Sequence, residues 1–273
     1  MLSINQQGIS LIELMIAITL ALILMAAAMQ VLTSSRQTYE LNSDIARIQE
    51  NGRIAMEILV NNIRMAGYRN PVNGIAPDYF DFQTHCKRSH HTCTLDHFID
   101  KPGSINHGSD RLSIVYDHPA DDYGGRARDC LSTELTSSER TSLLINIYSI
   151  KTVKGISSLY CRGYNKSKGQ WLETGAQPLI DGIDNMQVLY GIASDTSGSV
   201  RRYVSQDQLS EQDWALIKTV KIALLVSNGL TEGFADAKSR KYRLLDNSEL
   251  ITAATDKQAR RIYSTTVQIK NNR

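Results

Sequence analysis

Proline is missing from the first 70 residues: the chain has 273 residues and five prolines, and the earliest is Pro71. Nothing before it sharply interrupts a helix, because proline is the residue that both removes a backbone donor and clashes with the preceding turn. Charge is nearly missing from the same region. Between Ile9 and Ser35 the one charged side chain is Glu13, and Leu14 to Met29 is Leu, Ile, Met and Ala with a single Thr. Net charge is small throughout, since Lys+Arg 30 against Asp+Glu 28 gives +2. No strong field therefore argues for a nucleic-acid or acidic-lipid partner. The sequence has no G-x-S-x-G elbow, no H-E-x-x-H and no phosphate-binding glycine loop, so the arrangement of roles those chemistries need is absent. We expect a non-enzyme with no cofactor. No internal repeat or low-complexity tract is visible, and 42% hydrophobic with 21% charged residues is an ordinary folded composition.

What is present begins with length. Ile9 to Leu32 suffices to cross a ~30 Å hydrocarbon core. A secretory signal peptide would place a small-residue cleavage site after its apolar run. Here Gly8 stands before the run, and Ala26, Ala27 and Ala28 lead on into Met29 and a continuing helical pattern. A carboxylate at that depth costs several kcal/mol unless it finds a partner, so Glu13 is a candidate functional residue. Beyond Arg36, apolar or small residues recur in steps of three or four at Ile45, Ile48, Gly52, Ala55, Leu59, Ile63 and Ala66. The opposite face carries Asp44, Arg47, Glu50, Arg53, Glu57, Asn61 and Arg64. This spacing predicts one helix from about Ser10 to Ala66, roughly 85 Å long, whose second half offers an apolar stripe to something soluble.

After Gly67 the pattern changes to short β-type runs: Leu112–Tyr116, Leu143–Ile150, Leu159–Tyr164, Met186–Ile192, Val220–Ser227 and Ile262–Lys270. Hairpin turns are expected at 165–169 and 194–199, and a short helix within Gln206 to Ile217. The stretches 71–108 and 117–141 read as long loops, and three of the four cysteines lie in them. Four cysteines beyond a membrane segment suggest two disulfides, for which three pairings exist. Cys86 with Cys93 would close a short surface loop, and Cys130 with Cys161 would staple a longer excursion. This is the pairing we expect. The stretch HCKRSHHTCTLDH (85–97) holds four His and two Cys, yet Cys-x₆-Cys is no standard zinc knuckle, and thiols in an oxidising compartment pair. Asp121, Asp122 and Asp129, with Gly124 and Gly125 between, lack the alternating spacing and closing Glu of a calcium loop. We expect a solvated loop there and no metal site.

The stretch GISLIELMIAITLALI (8–23) resembles the class III signal of type IV pilins: a short leader ending in Gly, then an apolar helix with Glu at its fifth mature position. Further on, ENGRIAMEILVNNIRMAGYRNP (50–71), PLIDGIDNMQVLYGI (178–192), WALIKTVKIALLVSN (214–228) and RIYSTTVQIKNN (261–272) are similar, in order, to segments of the PilW-type minor pilins. The resemblance implies an α+β pilin fold, with a long helix packed on an antiparallel sheet. It implies scission between Gly8 and Ile9 by a membrane aspartyl prepilin peptidase, N-methylation of Ile9, and pairing of Glu13 with the amine of a neighbouring pilin. The implied partners are other minor pilins, the major pilin and the inner-membrane pilus assembly machinery. The implied location is the inner membrane with a periplasmic domain, then the pilus, at or near its tip.

The expected organisation is therefore a leader at 1–8, a transmembrane assembly half at 9–36, an amphipathic half at 37–70 and a β-rich domain at 71–273. The chain departs from the family in three ways. The leader MLSINQQ has no Lys or Arg, mature position one is Ile where Phe is commonest, and Gln30 stands where major pilins carry a kinking proline. The last departure points to a minor subunit. The nearest rival is a minor pseudopilin of type II secretion. A tip adhesin or DNA-uptake receptor using the 71–141 loops is a different class, and near-neutral charge argues against DNA. A single-pass membrane enzyme with an uncut N-terminus ranks last.

Overall fold

The computed structural model describes residues 10–69, 79–80, 93–94, 105, 108–117, 128–135, 143–194, 198–229, 240–245, 251–253 and 258–271. The chain divides into two units, Met1–Ser43 and Asp44–Arg273. One helix, α1 (Leu11–Met65, 55 residues), begins in the first and ends in the second. Within the second unit its buried positions are Asp44, Ile48, Gly52, Ala55, Leu59 and Ile63, the three-and-four spacing of a single helix face. Its far side is wet: Arg53 is paired with Glu50 at 2.8 Å and with Glu57 at 3.3 Å, and all three are exposed. The expected stripe is corrected at one end, where Asp44 is buried and Ile45 is 41% exposed. At about 100° per residue these two positions fall on opposite flanks of the same stripe, so periodicity alone cannot choose between them.

The end of α1 is set by chain chemistry. Gly67 takes a left-handed φ of 69°, and a Cβ there would collide with the Tyr79 ring. Asn271 donates its amide to the carbonyls of Arg64 and Ala66, both at 3.1 Å, and so satisfies acceptors that the helix end leaves open.

The strands form antiparallel sheets. In the first, β1 (Leu112–Asp117), β2 (Leu143–Val153), β3 (Ile156–Asn165) and β4 (Gln170–Trp171) follow one another, and β5 (Gln177–Asp181) also pairs with β3. Val153 faces Ile156 across a two-residue turn in which Lys154 and Gly155 have φ of 51° and 82°. Two left-handed residues are what a tight turn of matching twist requires. The second sheet has the order β11-β8-β6-β7, from β6 (Ile183–Ala193), β7 (Val200–Val204), β8 (Ile217–Ser227) and β11 (Arg260–Gln268). A small ladder pairs β9 (Arg240–Tyr242) with β10 (Ile251–Ala253). The architecture is α+β, a long N-terminal helix with an antiparallel sheet domain.

All six expected strands are present, most of them longer at their ends, while β4, β5, β7, β9 and β10 were not anticipated. The expected helix within 206–217 is reduced to a 3₁₀ turn at Gln206–Gln208 and one turn, α2, at Glu211–Trp214, because Ile217 already belongs to β8.

One core joins α1 to both sheets. Ile48, Ala55, Leu59 and Ile63 lie in the same buried cluster as Leu112, Ile114, Tyr148 and Leu159 of the first sheet and Met186, Val188, Ile222, Leu224 and Val267 of the second. Phe80 and Tyr190 meet edge to face in it, with ring centroids 5.3 Å apart. A buried ion pair ties the second sheet together: Arg260 Nε lies 2.6 Å from Asp184 Oδ2, and both side chains are within the interior. The helix closely approaches β11 at Gly52, where an added Cβ would stand 2.6 Å from the Tyr263 ring. Replacing Gly52→Val should therefore cost about 1–3 kcal/mol of stability by overpacking. Chemical denaturation of the detergent-solubilised protein reads this loss. The substitution should combine non-additively with Tyr263→Ala, because that exchange removes the ring it strikes.

Candidate assembly site

The N-terminal unit is built from residues that have nothing to gain in water. Leu11, Ile12, Leu14, Met15, Ile16 and Ile18 are all exposed, as are Leu20 to Leu32 wherever they are large and apolar. An 18-residue window of α1 near the N-terminus has a mean hydropathy of 2.5 and no buried share. Its polar side chains look after themselves: the Thr19 hydroxyl donates to the Ile16 carbonyl at 2.9 Å, and the Thr33 hydroxyl to the Met29 and Gln30 carbonyls at 3.0 Å. In a hydrocarbon layer such internal bonds replace water.

Glu13 lies in the first turn of this helix, which opens with the Leu14 amide donating to the Ser10 carbonyl at 3.1 Å. Its negative charge suits the positive end of the helix dipole. Among the described residues no cation pairs with it. The next charged residue along the chain, Arg36, is 23 positions on, about 35 Å along a helix. Gly8 and Ile9, the expected cleavage and methylation residues, lie outside the described residues.

In the second unit the Cys130–Cys161 disulfide is formed, with a Cα–Cα distance of 6.4 Å. Cys93 is disulfide-bonded as well, and its expected partner, Cys86, lies outside the described residues. The Cys93 carbonyl accepts from Arg111 Nε at 2.7 Å, and Thr94 exchanges bonds with the Ser113 backbone, which pins residues 93–94 to β1. His85, His90, His91 and His97 of the histidine-rich stretch lie outside the described residues, as do Asp121, Asp122, Gly124 and Gly125. Among the described residues no group of three or more His, Cys, Asp or Glu could hold a metal ion.

Asp129 corrects the expectation of a solvated loop. It is 7% exposed, and its Oδ1 accepts from the amides of Leu131 and Thr133 at 2.9 and 2.8 Å. Around it runs a buried polar network. The Cys130 amide donates to Asn146 Oδ1, and Asn146 Nδ2 donates to Asn62 Oδ1 of α1 at 2.9 Å and to the Tyr116 hydroxyl at 3.1 Å. The Tyr116 hydroxyl in turn donates to the Arg128 carbonyl at 3.2 Å. None of these polar residues was legible from sequence as buried, since Asn, Asp and Ser are the usual residues of exposed turns.

Residues 4–29 match the prokaryotic N-terminal methylation motif, and residues 147–271 match the family described as Type IV Pilus-assembly protein W, PilW. Over residues 147–271 the chain is similar to the PilW family. Gly8, Ile9 and Glu13 fall inside the first match, and β3 to β8 and β11 inside the second. A solved type IV-like pilin from Thermus thermophilus is similar at 14% identity and a TM-score of 0.41, over 83% of this chain and 99% of that one. No curated protein matches the sequence. The two matches support a minor pilin of type IV pilus assembly, and the long apolar helix fits membrane anchoring. Breaking the disulfide by Cys130→Ser with Cys161→Ser should lower stability by about 3–4 kcal/mol, the loop-closure value for a separation of 31 residues. Thermal unfolding of the solubilised protein, with and without reductant, measures it: reductant should lower the parent by more than it lowers the variant, which still keeps the Cys93 disulfide.

Proposed function

We propose that the chain is a prepilin, cut between Gly8 and Ile9 by the prepilin peptidase and methylated at the new Ile9 amine. It then joins other minor pilins in a complex that primes, and stays near the tip of, a type IV pilus. Residues 1–8 are the leader, 9–36 the membrane and assembly half of the helix, 37–70 its amphipathic half, and 71–273 a periplasmic domain. The protein acts as a scaffold without catalysis, and it meets the major pilin and the inner-membrane assembly machinery through the same helix.

One observation carries this reading. Glu13 is the single charge between Ile9 and Ser35, in the exposed apolar part of α1, and has no ionic partner among the described residues. Cleavage after Gly8 creates a cation in the same low-dielectric layer as that carboxylate. Each charge offsets the other's burial cost when the two come from adjacent subunits, and the pair fixes axial register. The match at 4–29 supports the processing step, and the match at 147–271 supports the pilus over other pilin-like assemblies.

Mass spectrometry of the membrane-extracted protein should find a chain starting at N-methylated Ile9 when the peptidase is present, and an intact Met1 when it is deleted. An intact Met1 in both strains overturns the prepilin reading. Glu13→Gln should leave processing intact while reducing incorporation into pili on the order of tenfold or more, since the lost interaction is worth several kcal/mol. Glu13→Asp should retain part of it. Normal piliation in the Gln variant would sink the assembly role, and lost secretion with pili intact would assign the chain to a secretion machine instead.

A further inference from the structure

Two carboxyl groups meet on the inner side of the first sheet. Asp129 and Glu173 lie within hydrogen-bonding reach of one another. Asp129 Oδ2 and Glu173 Oε1 are both buried, and neither receives a hydrogen bond from an N–H or hydroxyl donor. The remaining oxygens are occupied: Asp129 Oδ1 takes the Leu131 and Thr133 amides, and Glu173 Oε2 takes the Gly163 amide at 3.1 Å. Gly163 provides the floor, since any Cβ there would collide with Asp129 Oδ2.

No cation among the described residues neutralises the pair. Arg128, in the same loop, is committed to Glu134 at 2.6 Å. Arg162 of β3 is stacked 3.8 Å from Trp171, and its guanidinium donates to the Glu173 and Thr174 carbonyls, not to the carboxylate. Tyr116 of β1 and Tyr148 of β2 also face the site, and burial raises both hydroxyls so far that they stay neutral. Asn62, from α1, does not titrate. Burial, and next the hydrogen bond with Glu173, push the Asp129 carboxyl up to about 7. Two adjacent buried carboxylates cannot both ionise cheaply. Asp129 Oδ2 and Glu173 Oε1 are the two carboxylate oxygens left open here, few for a hard cation that takes six or more oxygens.

We propose that Asp129 and Glu173 share one proton, and that this carboxyl–carboxylate bond is a pH-sensitive latch holding residues 128–135 against the first sheet. In the closed form the Asp129 O–H donates to the Glu173 carboxylate. Loss of that proton to solvent leaves two facing negative charges, and the loop loosens while the Cys130–Cys161 disulfide keeps it tethered. The sign follows from linkage. A solvated Asp gives up its proton near 3.8 and the latched one near 7, so closure is fully favoured below about 4, weakens as pH rises through about 7, and is constant above.

Hydrogen exchange of residues 128–135 in the detergent-solubilised full chain, corrected for the intrinsic pH dependence of exchange, tests this. Protection should fall about tenfold or more between about pH 5 and pH 8. Asp129→Asn removes the titrating group and supplies a permanent N–H donor to Glu173, so it should hold protection constant over that range, and Glu173→Gln, which donates to the Asp129 carboxylate, should make the fall smaller. Two variants are used so that a folding failure in one leaves the other to decide. Equal protection of the parent at both pH values, or the same fall in the variants, overturns the latch. Recovery of protection at pH 8 on adding calcium alone would also overturn it, in favour of a bridging cation.

Discussion

An apolar stripe that has no partner in water governs the second unit. Ile48, Gly52, Ala55, Leu59, Ile63 and Ala66 repeat at helical spacing, and burying them is worth about 25 cal/mol for each Å² removed from water. Both sheets contribute their inner side chains to the same cluster, so the helix does not decorate a finished β structure but completes its core. The small residues matter as much as the large ones. Gly52 lets the backbone approach the Tyr263 ring of β11, and Ala55 is fully buried one turn further on. Strand β11 is an edge, bonded to β8 on one side in the sheet, and its inward residue Val267 is covered within that shared core. Asn271 then ties the chain just beyond β11 to the carbonyls that close α1.

Hydrophobic burial of this kind is non-directional, and the polar groups inside the unit supply the direction. Asp184 and Arg260 join β6 to β11 across β8, and Ser227 of β8 donates to the same carboxylate. A buried pair of this sort adds little over well-packed apolar residues, yet losing one member leaves an uncompensated charge, so it penalises any other register of these strands. Asn146 plays a similar part in the first sheet. Its side chain bonds α1 through Asn62, β1 through Tyr116 and the disulfide loop through Cys130, three elements far apart in sequence. Satisfied networks rigidify a core, and partly satisfied ones are where a structure can be moved. The carboxyl pair at Asp129 and Glu173 is of the second kind.

How far the fold could be read from sequence follows from the range of the forces involved. Strands β1, β2, β3, β6, β8 and β11 were legible because their own side chains carry the signal, as apolar and β-branched runs. Short edges such as β5 and β7 were not, since Gln177–Asp181 and Val200–Val204 are half exposed and owe their conformation to the strands beside them. The Lys154-Gly155 turn was equally silent, because lysine is not a residue that advertises a left-handed φ. The proposed assembly residue shows the opposite case. Glu13 is conspicuous in sequence because the surrounding 27 residues from Ile9 to Ser35 hold no other charge. Asp129 is inconspicuous because it sits among other acids and glycines in a stretch that has the composition of a surface loop.

Glu13 and Asp129 pose one physical problem in two solvents. A carboxylate removed from water must find a cation, accept hydrogen bonds from fixed donors, or keep its proton. Asp129 finds two backbone amides and a second carboxyl within its own chain, so its solution is local and depends on protons. Glu13 finds no cation among the described residues, and α1 runs unbroken from Leu11 past Gln30, where a proline would have allowed the helix to bend or open. An unbroken, internally bonded helix carries its later side chains away from its own first turn. Among the described residues the Glu13 charge finds no cation, which leaves a group that packs alongside as the partner the proposed function requires. On the proposed function that group is the Ile9 amine of a neighbouring subunit, and Glu13 would stay without its cation until the neighbour arrives.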